Sequence, residues 1–174
     1  MTGGIRKDFM ERIEYIDSTF IFKRDNFYYL HDVKFKPINS MAYDSIIYSD
    51  FVHNHLIVKK NGLYGIVNRF GREILPIKYK VVQKSRFMTG YYEFLEGNKY
   101  GFISWDTKRY LAPFSPSAEI YARDGFFVFK GANDWNVIDS TGKYFLKSNL
   151  QVFNIVNKNR FIVGPNYLER ALVD

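Results

Sequence analysis

Residues 56–82 read LIVKKNGLYGIVNRFGREILPIKYKVV, and the fold is decided by how this stretch is parsed. An apolar run, Leu56-Ile57-Val58, leads to Asn61-Gly62 and then to a second run, Tyr64-Gly65-Ile66-Val67. Asn-Gly between apolar runs signals a hairpin, because both central residues of a type I′ turn need positive φ. A second turn follows at Asn68-Arg69-Phe70-Gly71, where the Asn side chain suits bonding to backbone and Gly suits the exit position. A third strand is expected near Ile74 to Val82. The stretch therefore predicts a three-stranded antiparallel meander with Gly65 opposite Val58. A glycine facing a larger residue leaves a hollow that the cross-strand side chain can cover, while the adjacent aromatic turns to the other face and packs on a neighbouring unit.

The same pattern recurs. Tyr64-Gly65 reappears 36 residues on as Tyr100-Gly101 and 35 residues further as Trp135-Asn136; Tyr28-Tyr29 lies 36 residues before it and Arg170-Ala171 lies 35 after Trp135. Each is followed by an apolar pair or a decayed form of one: Leu30-His31, Ile66-Val67, Phe102-Ile103, Val137-Ile138 and Leu172-Val173. Next comes a small polar residue, Asp32, Asn68, Ser104, Asp139 or Asp174. Such a period marks a repeat architecture, in which one unit cannot bury its apolar face alone and must stack on the next.

These residues resemble WG repeats, short β-repeats named for a Trp-Gly dipeptide that is often Tyr-Gly or Phe-Gly. Lys60-Asn61-Gly62, Tyr64-Gly65, Ile66-Val67-Asn68, Gly71, Pro76 and Tyr79 carry the resemblance most fully. The third copy has Thr107 where the second has Gly71, and the fourth has Asn136 in place of the dipeptide glycine. The resemblance implies a recognition scaffold without chemistry of its own. The expected fold is all-β: a short curved array of four to five three-stranded meanders of 35–36 residues. Residues 1–19 are expected to cap it and residues 20–174 to form the array, divided near 20–55, 56–91, 92–126, 127–161 and a partial 162–174. Phe9, Ile13 and Ile16 share one side of a helix at i, i+4, i+7, so residues 5–15 read as a short helical cap. The last unit stops at its second strand, leaving an edge that either Ile13–Ile16 or another copy of the chain is expected to cover.

Composition narrows the function. The chain has 174 residues, no Cys, 17 Phe and 14 Tyr, and 25 Lys and Arg against 18 acids, a net charge of +7. Lack of Cys rules out disulfides and thiolate metal sites and fits a reducing compartment. No leader-like or membrane-spanning apolar run stands out, so a cytoplasmic protein without membrane attachment is expected. His53 and His55 fall on one face of an extended strand, a spacing two metal ligands can use, but no third ligand accompanies them and the default is exposed rim histidines. Asp32, Asn68, Ser104, Asp139 and Asp174 each begin a turn, which reads as turn capping and not as paired catalytic carboxylates. No nucleophile, P-loop or dinucleotide motif is present. The expectation is a protein that is not an enzyme and carries no cofactor and no metal.

Two binding classes remain. Basic residues recur at the first hairpin tips beside the repeat aromatics: Arg24, Lys59 and Lys60 with Tyr64, Lys99 with Tyr100, and Lys130 with Trp135. A row of such tips would suit an anionic nucleotide or single-stranded nucleic acid, with phosphates on the cations and bases on the rings. The favoured expectation is a protein partner, met by an exposed patch drawn from Phe87, Met88, Tyr91, Tyr110, Phe114 and Tyr121.

Overall fold

The computed structural model describes residues 13–16, 18–50, 54–86, 88–115, 120–123, 126–130, 135–139, 141–148, 151–157, 160–164 and 171–173, with side chains for 18–47, 54–86, 88–111, 126–129, 135–139 and 141–145. These residues form two compact units, Met1–Val82 and Gln83–Asp174. All paired strands are antiparallel neighbours in sequence, so each sheet is a simple up-and-down run. In the first unit β1 (Ile13–Ile16), β2 (Thr19–Arg24) and β3 (Phe27–Asp32) make one sheet. The other is β4 (Ser45–Asp50), β5 (His55–Lys60), β6 (Leu63–Asn68) and β7 (Glu73–Tyr79). β8 (Val81–Lys84) joins β9 (Tyr91–Glu96), β10 (Lys99–Ser104) and β11 (Tyr110–Ser115) in a sheet. Then come β12 (Ile120–Arg123), β13 (Phe126–Lys130), β14 (Trp135–Asp139) and β15 (Tyr144–Ser148), and finally β16 (Gln151–Asn157), β17 (Arg160–Gly164) and β18 (Ala171–Val173).

The first hairpins form as the sequence predicts. Asn61 and Gly62 both take positive φ, 52° and 80°, and Gly65 lies opposite Val58. Asp25 and Asn26 turn the equivalent hairpin of the first sheet with φ of 51° and 66°. In the third sheet Gly97 has φ 60°, and Gly101 lies opposite Phe94.

Burial does not alternate along the central strands: β5, β6, β9, β10 and β14 each bury three or four consecutive residues, so both faces of these strands are covered there. In the first unit Ile21 and Leu30 on one sheet, with Tyr43 from the following segment, pack against Leu56, Val58 and Val67 on the next. In the second unit Met88, Phe102 and Leu111 pack against Phe127, Phe129 and Ile138. Tyr28 lines the first of these clusters and Tyr100 the second. Each fully buried side chain of this size contributes roughly 1.5–3 kcal/mol, so the inter-sheet contacts hold each unit together.

The repeat glycines owe their identity to the strand that follows them. Between β6 and β7 the register passes from Tyr64↔Tyr79 to Ile66↔Leu75, so Gly65 alone faces the three residues 76–78. The same shift, Tyr100↔Ser115 to Phe102↔Leu111, sets Gly101 against residues 112–114. These bulged segments hold Pro76 and Pro113, and a bulge in an edge strand is where a strand tolerates proline. The bulge pushes a carbonyl toward the glycine: a Cβ on Gly65 would sit 2.7 Å from the Leu75 oxygen, and one on Gly101 would sit 2.9 Å from the Leu111 oxygen and run into the Phe94 ring. In the fourth sheet Trp135, Asn136 and Val137 pair in register with Ser148, Lys147 and Leu146, and there the repeat carries Asn136. Cross-strand covering by Phe94 holds at Gly101. At Gly65 the space is taken by Ile77 of β7, not by Val58.

Two expectations about the fold are overturned. No helix occurs among the described residues: Ile13–Ile16 is a strand paired with β2, while residues 5–12 of the expected cap lie outside the described residues. Ile13 and Tyr15 face Phe22 and Phe20 across that pair, and β-branched and aromatic residues beside the edge of β2 favour a strand there over the end of the expected helix. The meanders are not uniformly three-stranded, since among the described residues three of the five sheets have four strands. The expected third strand, Ile74 to Val82, breaks at Lys80 into β7 and β8, which belong to different sheets.

Candidate functional site

The polar column that opens each second turn is a set of caps. Asn68 Oδ1 accepts from the N–H of Phe70 and of Arg72, both at 3.0 Å. Asp32 does the same for Lys34 and Lys36, and Asp139 for Thr141 and Lys143. In the third sheet the loop is one residue longer and the work is divided. Ser104 Oγ accepts from Arg109 N–H and donates to Asp106, whose carboxylate accepts from Lys108 N–H. The Ser104 hydroxyl holds the Asp106 carboxyl below its usual range, and the Thr141 hydroxyl does so for Asp139. Asp174 lies outside the described residues.

The hairpin-tip residues divide between the two units, Arg24, Lys59, Lys60 and Tyr64 in one and Lys99, Tyr100, Lys130 and Trp135 in the other. Lys59 Nζ lies 5.3 Å over the ring of Tyr64, and Arg24 Cζ lies 5.2 Å over Tyr29. Acids sit at three tips: Asp25 is 3.9 Å from Arg24, Asp44 Oδ2 accepts from Gly62 N–H at 3.0 Å, and Glu96 is paired across the strands with Lys99. Tyr100 lines the inter-sheet core and Trp135 is half-buried; the side chain of Lys130 lies outside the described residues. His55 is buried on β5, only 5% exposed, and not a rim residue; His53 lies outside the described residues. Among the described residues no group of three His, Cys, Asp or Glu is arranged to hold a metal ion. No described helix is long and apolar enough to cross a membrane. Of the six residues expected to form an exposed patch, Met88 is buried and Tyr91 packs on the core. Tyr110 is exposed, and the side chains of Phe87, Phe114 and Tyr121 are outside the described set.

The opposite end of the first unit carries a surface that the reading of hairpin tips missed. The second turns of its two sheets, Asp32-Val33-Lys34-Phe35-Lys36 and Asn68-Arg69-Phe70-Gly71-Arg72, lie a strand's length from the hairpin tips, roughly 17–20 Å. They are neighbours. Thr19 Oγ1 donates to the Arg69 carbonyl at 3.1 Å, and Thr19 is the cross-strand partner of Asp32. Phe70 and Phe35 are 62% and 59% exposed and Val33 is 53% exposed. Lys34, Lys36 and Arg72 are exposed around them, and the Arg69 guanidinium lies 4.6 Å over the Phe70 ring. The carboxylate of Asp32 is turned to backbone N–H groups, while Glu73 follows Arg72 at the start of β7.

Phe35 is held there against its backbone preference. Its φ is 58°, in the left-handed region that costs an L-residue about 1–2 kcal/mol, where the equivalent Gly71 and Gly142 are glycine. The ring stacks on Phe20, centroids 4.9 Å apart, and meets Phe22 at 6.0 Å, while His31 Nδ1–H donates to the Phe35 carbonyl at 3.0 Å. A bulky residue kept at positive φ with most of its surface in solvent is the kind of strain that clusters at functional sites. The signal was present in the sequence as two cation-flanked phenylalanines, Lys34-Phe35-Lys36 and Arg69-Phe70-Gly71-Arg72, 35 residues apart.

No protein-family model matches the chain, and no curated protein is similar to it in sequence. Among solved structures it is similar to PorZ, a bacterial surface component of the type-IX secretion system of Porphyromonas gingivalis, with 12% identity over 94% of this chain and a TM-score of 0.36. It is also similar to Kluyveromyces lactis Hsv2, with 12% identity over 87% of the chain and a TM-score of 0.33, and to a form of Hsv2 with loop 6CD replaced by a Gly-Ser linker, at 11% and 0.37. The chain spans 28% of the PorZ chain and 55–57% of the Hsv2 chains. At these scores the likeness carries no functional argument.

Proposed function

We propose that this is a non-catalytic binding module that recognises a protein partner, as the resemblance to WG repeats implies. One observation carries the reading: Phe35 and Phe70, the most exposed of the large apolar side chains among the described residues, stand on adjacent turns of one unit. Rigid turns with capped backbones hold these rings in solvent at little further entropic loss on binding. Aromatic and Arg side chains are those enriched at protein interfaces.

The test is capture from native lysate by the full chain and by a Phe70→Ser variant that melts normally. A protein retained in fixed stoichiometry by the wild type and lost from the variant supports the reading. The second reading, an anionic ligand on the hairpin tips, is favoured by the net charge of +7, but Asp25, Asp44 and Glu96 interrupt those tips. It predicts protein that purifies with absorbance at 260 nm that high salt removes.

A further inference from the structure

We infer that Asn61 is a self-modification site, at which the Gly62 nitrogen displaces the Asn61 side-chain amide, and that Asp44 is the clamp that holds the reaction off while the hairpin tip is closed. Asparagine is a thermolabile side chain, and Asn61 is the one asparagine of the chain that is followed by glycine. The attacking nitrogen is therefore not screened by a side chain of its own residue, and a Cβ built on Gly62 would meet nothing within 4 Å. Both residues are exposed at a tip closed by the Lys60↔Leu63 pair. The corresponding tips, Asp25-Asn26 and Gly97-Asn98, are followed by Phe27 and Lys99 and lack this combination.

The step needs no reagent but water. The Gly62 nitrogen bonds to Asn61 Cγ, its proton leaves with the side-chain nitrogen as ammonia, and a five-membered succinimide ring results. Water then opens either carbonyl of the ring, giving aspartate or an isoaspartate whose main chain runs through the former side chain. No electron is gained or lost.

Two features of the closed tip oppose ring formation. Asn61 and Gly62 have φ of 52° and 80°, as a type I′ turn requires. That turn is the mirror image of type I and holds its first central residue at ψ of about +30°. The Asn61 side chain and the Gly62 nitrogen then stand nearly opposite each other across the Cα–C bond, whereas ring closure needs them eclipsed. The second feature is Asp44, whose Oδ2 accepts the Gly62 N–H at 3.0 Å, a charge-assisted bond that fixes the plane of that peptide. Asp44 is itself fixed: its N–H donates to the Lys59 carbonyl at 2.8 Å, and its neighbour Tyr43 is bridged to Tyr28. The same carboxylate could serve as a base for the Gly62 proton, but a nitrogen that cannot reach Cγ gains nothing from losing it. Conversion therefore runs through the open fraction of the tip. It is also one-way, because the new carboxylate stands beside the N–H that Asp44 holds, and isoaspartate lengthens a turn that sets the β5–β6 register.

The experiment incubates the full chain in mildly alkaline buffer, folded and in guanidinium, and follows amide-to-acid conversion at each asparagine by peptide mass mapping. In the unfolded chain Asn61 should convert ahead of every other asparagine, and folding should slow it ~tenfold or more. Asp44→Ala should raise the folded rate ~threefold or more, and Gly62 amide exchange by a similar factor, because both need the N–H released. Asp44→Asn, which keeps an acceptor without the charge, should fall between; melting curves establish that each variant is folded, and Asp44→Asn carries the comparison if Asp44→Ala is not. Equal rates in the folded and unfolded chain, another asparagine converting first when unfolded, or no conversion of Asn61 in any folded form would each overturn the inference. So would Asp44 variants that leave the folded rate unchanged or lower it, the latter making Asp44 the base and not the clamp.

Discussion

Thr107 holds, in the second turn of the third sheet, the place that Gly71 and Gly142 hold in theirs, and Thr107→Gly is expected to stabilise the second unit. Its φ is 61°, against 71° and 86° for those glycines. The left-handed conformation costs an L-residue about 1–2 kcal/mol, and a β-branched side chain sits toward the high end. Thr107 is exposed, and its backbone N–H bond to the Ser104 carbonyl at 2.8 Å survives the change. Glycine's greater freedom in the unfolded chain returns roughly 0.5–1 kcal/mol of the gain. A net stabilisation of about 1 kcal/mol remains, or a rise of ~2–4 °C in Tm for a chain of this size. Both tryptophans, Trp105 and Trp135, lie in the second unit, so fluorescence melts report on it selectively. Gly142→Ala is the converse control. A Cβ there meets nothing nearer than Leu111 Cδ2 at 3.9 Å, so the loss it causes is conformational. If Thr107→Gly leaves Tm unchanged or lower while the denaturant m-value is constant, the strain assigned to these turns does not exist.

Other consequences can be measured with the same variants and probes. Gly101→Ala is expected to destabilise by ~1–3 kcal/mol through overpacking against Phe94 and the Leu111 carbonyl, whereas Asn136→Gly, where no bulge presses, should lose under ~1 kcal/mol; urea titration separates the two. Asp106 and Asp139 sit below the ordinary carboxylate value of 3.8, so the stability they add is present above that pH and is lost as pH falls through their lower folded values. Asp139→Asn should keep the cap, as Asn68 does in its own turn, and show a smaller fall in Trp-monitored Tm between pH 4 and the acid limit. Burial raises the Tyr43 hydroxyl above its ordinary 10.0, opposed by the bond from Asn39 Nδ2 at 3.1 Å. The stability tied to its neutral form is therefore complete below pH 10 and lost as pH rises through the folded value. Tyr43→Phe should remove that alkaline loss, at a baseline penalty of about 1–3 kcal/mol for the stranded Asn39 donor; circular dichroism melts from pH 8 to 11 test it.

Local chemistry was legible in the sequence and long-range geometry was not. Asn61-Gly62 foretold its turn because two positive φ values leave few residue choices, and Asn68 and Asp139 foretold their caps because a short polar side chain at a strand end reaches the next N–H groups. Ile13–Ile16 was misread because four residues fit a helical and an alternating pattern equally well, and the free side of β2 decided between them. The break at Lys80 was invisible since Glu73 to Lys84 is nearly continuous strand-forming sequence. The exposed aromatic end has no recurring signature, whereas the recurring Tyr64, Tyr100 and Trp135 are half-buried rings that help build the sheets. Phe35 and Phe70, one residue out of register with each other relative to Asp32 and Asn68, fell outside any column.

The bulges of β7 and β11 also limit how this chain can change length. At Gly65 and at Gly101 one residue faces three, a surplus of two, and an even surplus leaves the inward and outward phase the same on either side of it, while β7 has a further one-residue bulge between Ile66↔Leu75 and Val67↔Glu73. Deleting a pair such as Pro76-Ile77 would leave that edge with the single one-residue bulge that β15 has and release Gly65 from its constraint. Deleting either residue alone would turn Tyr79 from the interior toward solvent.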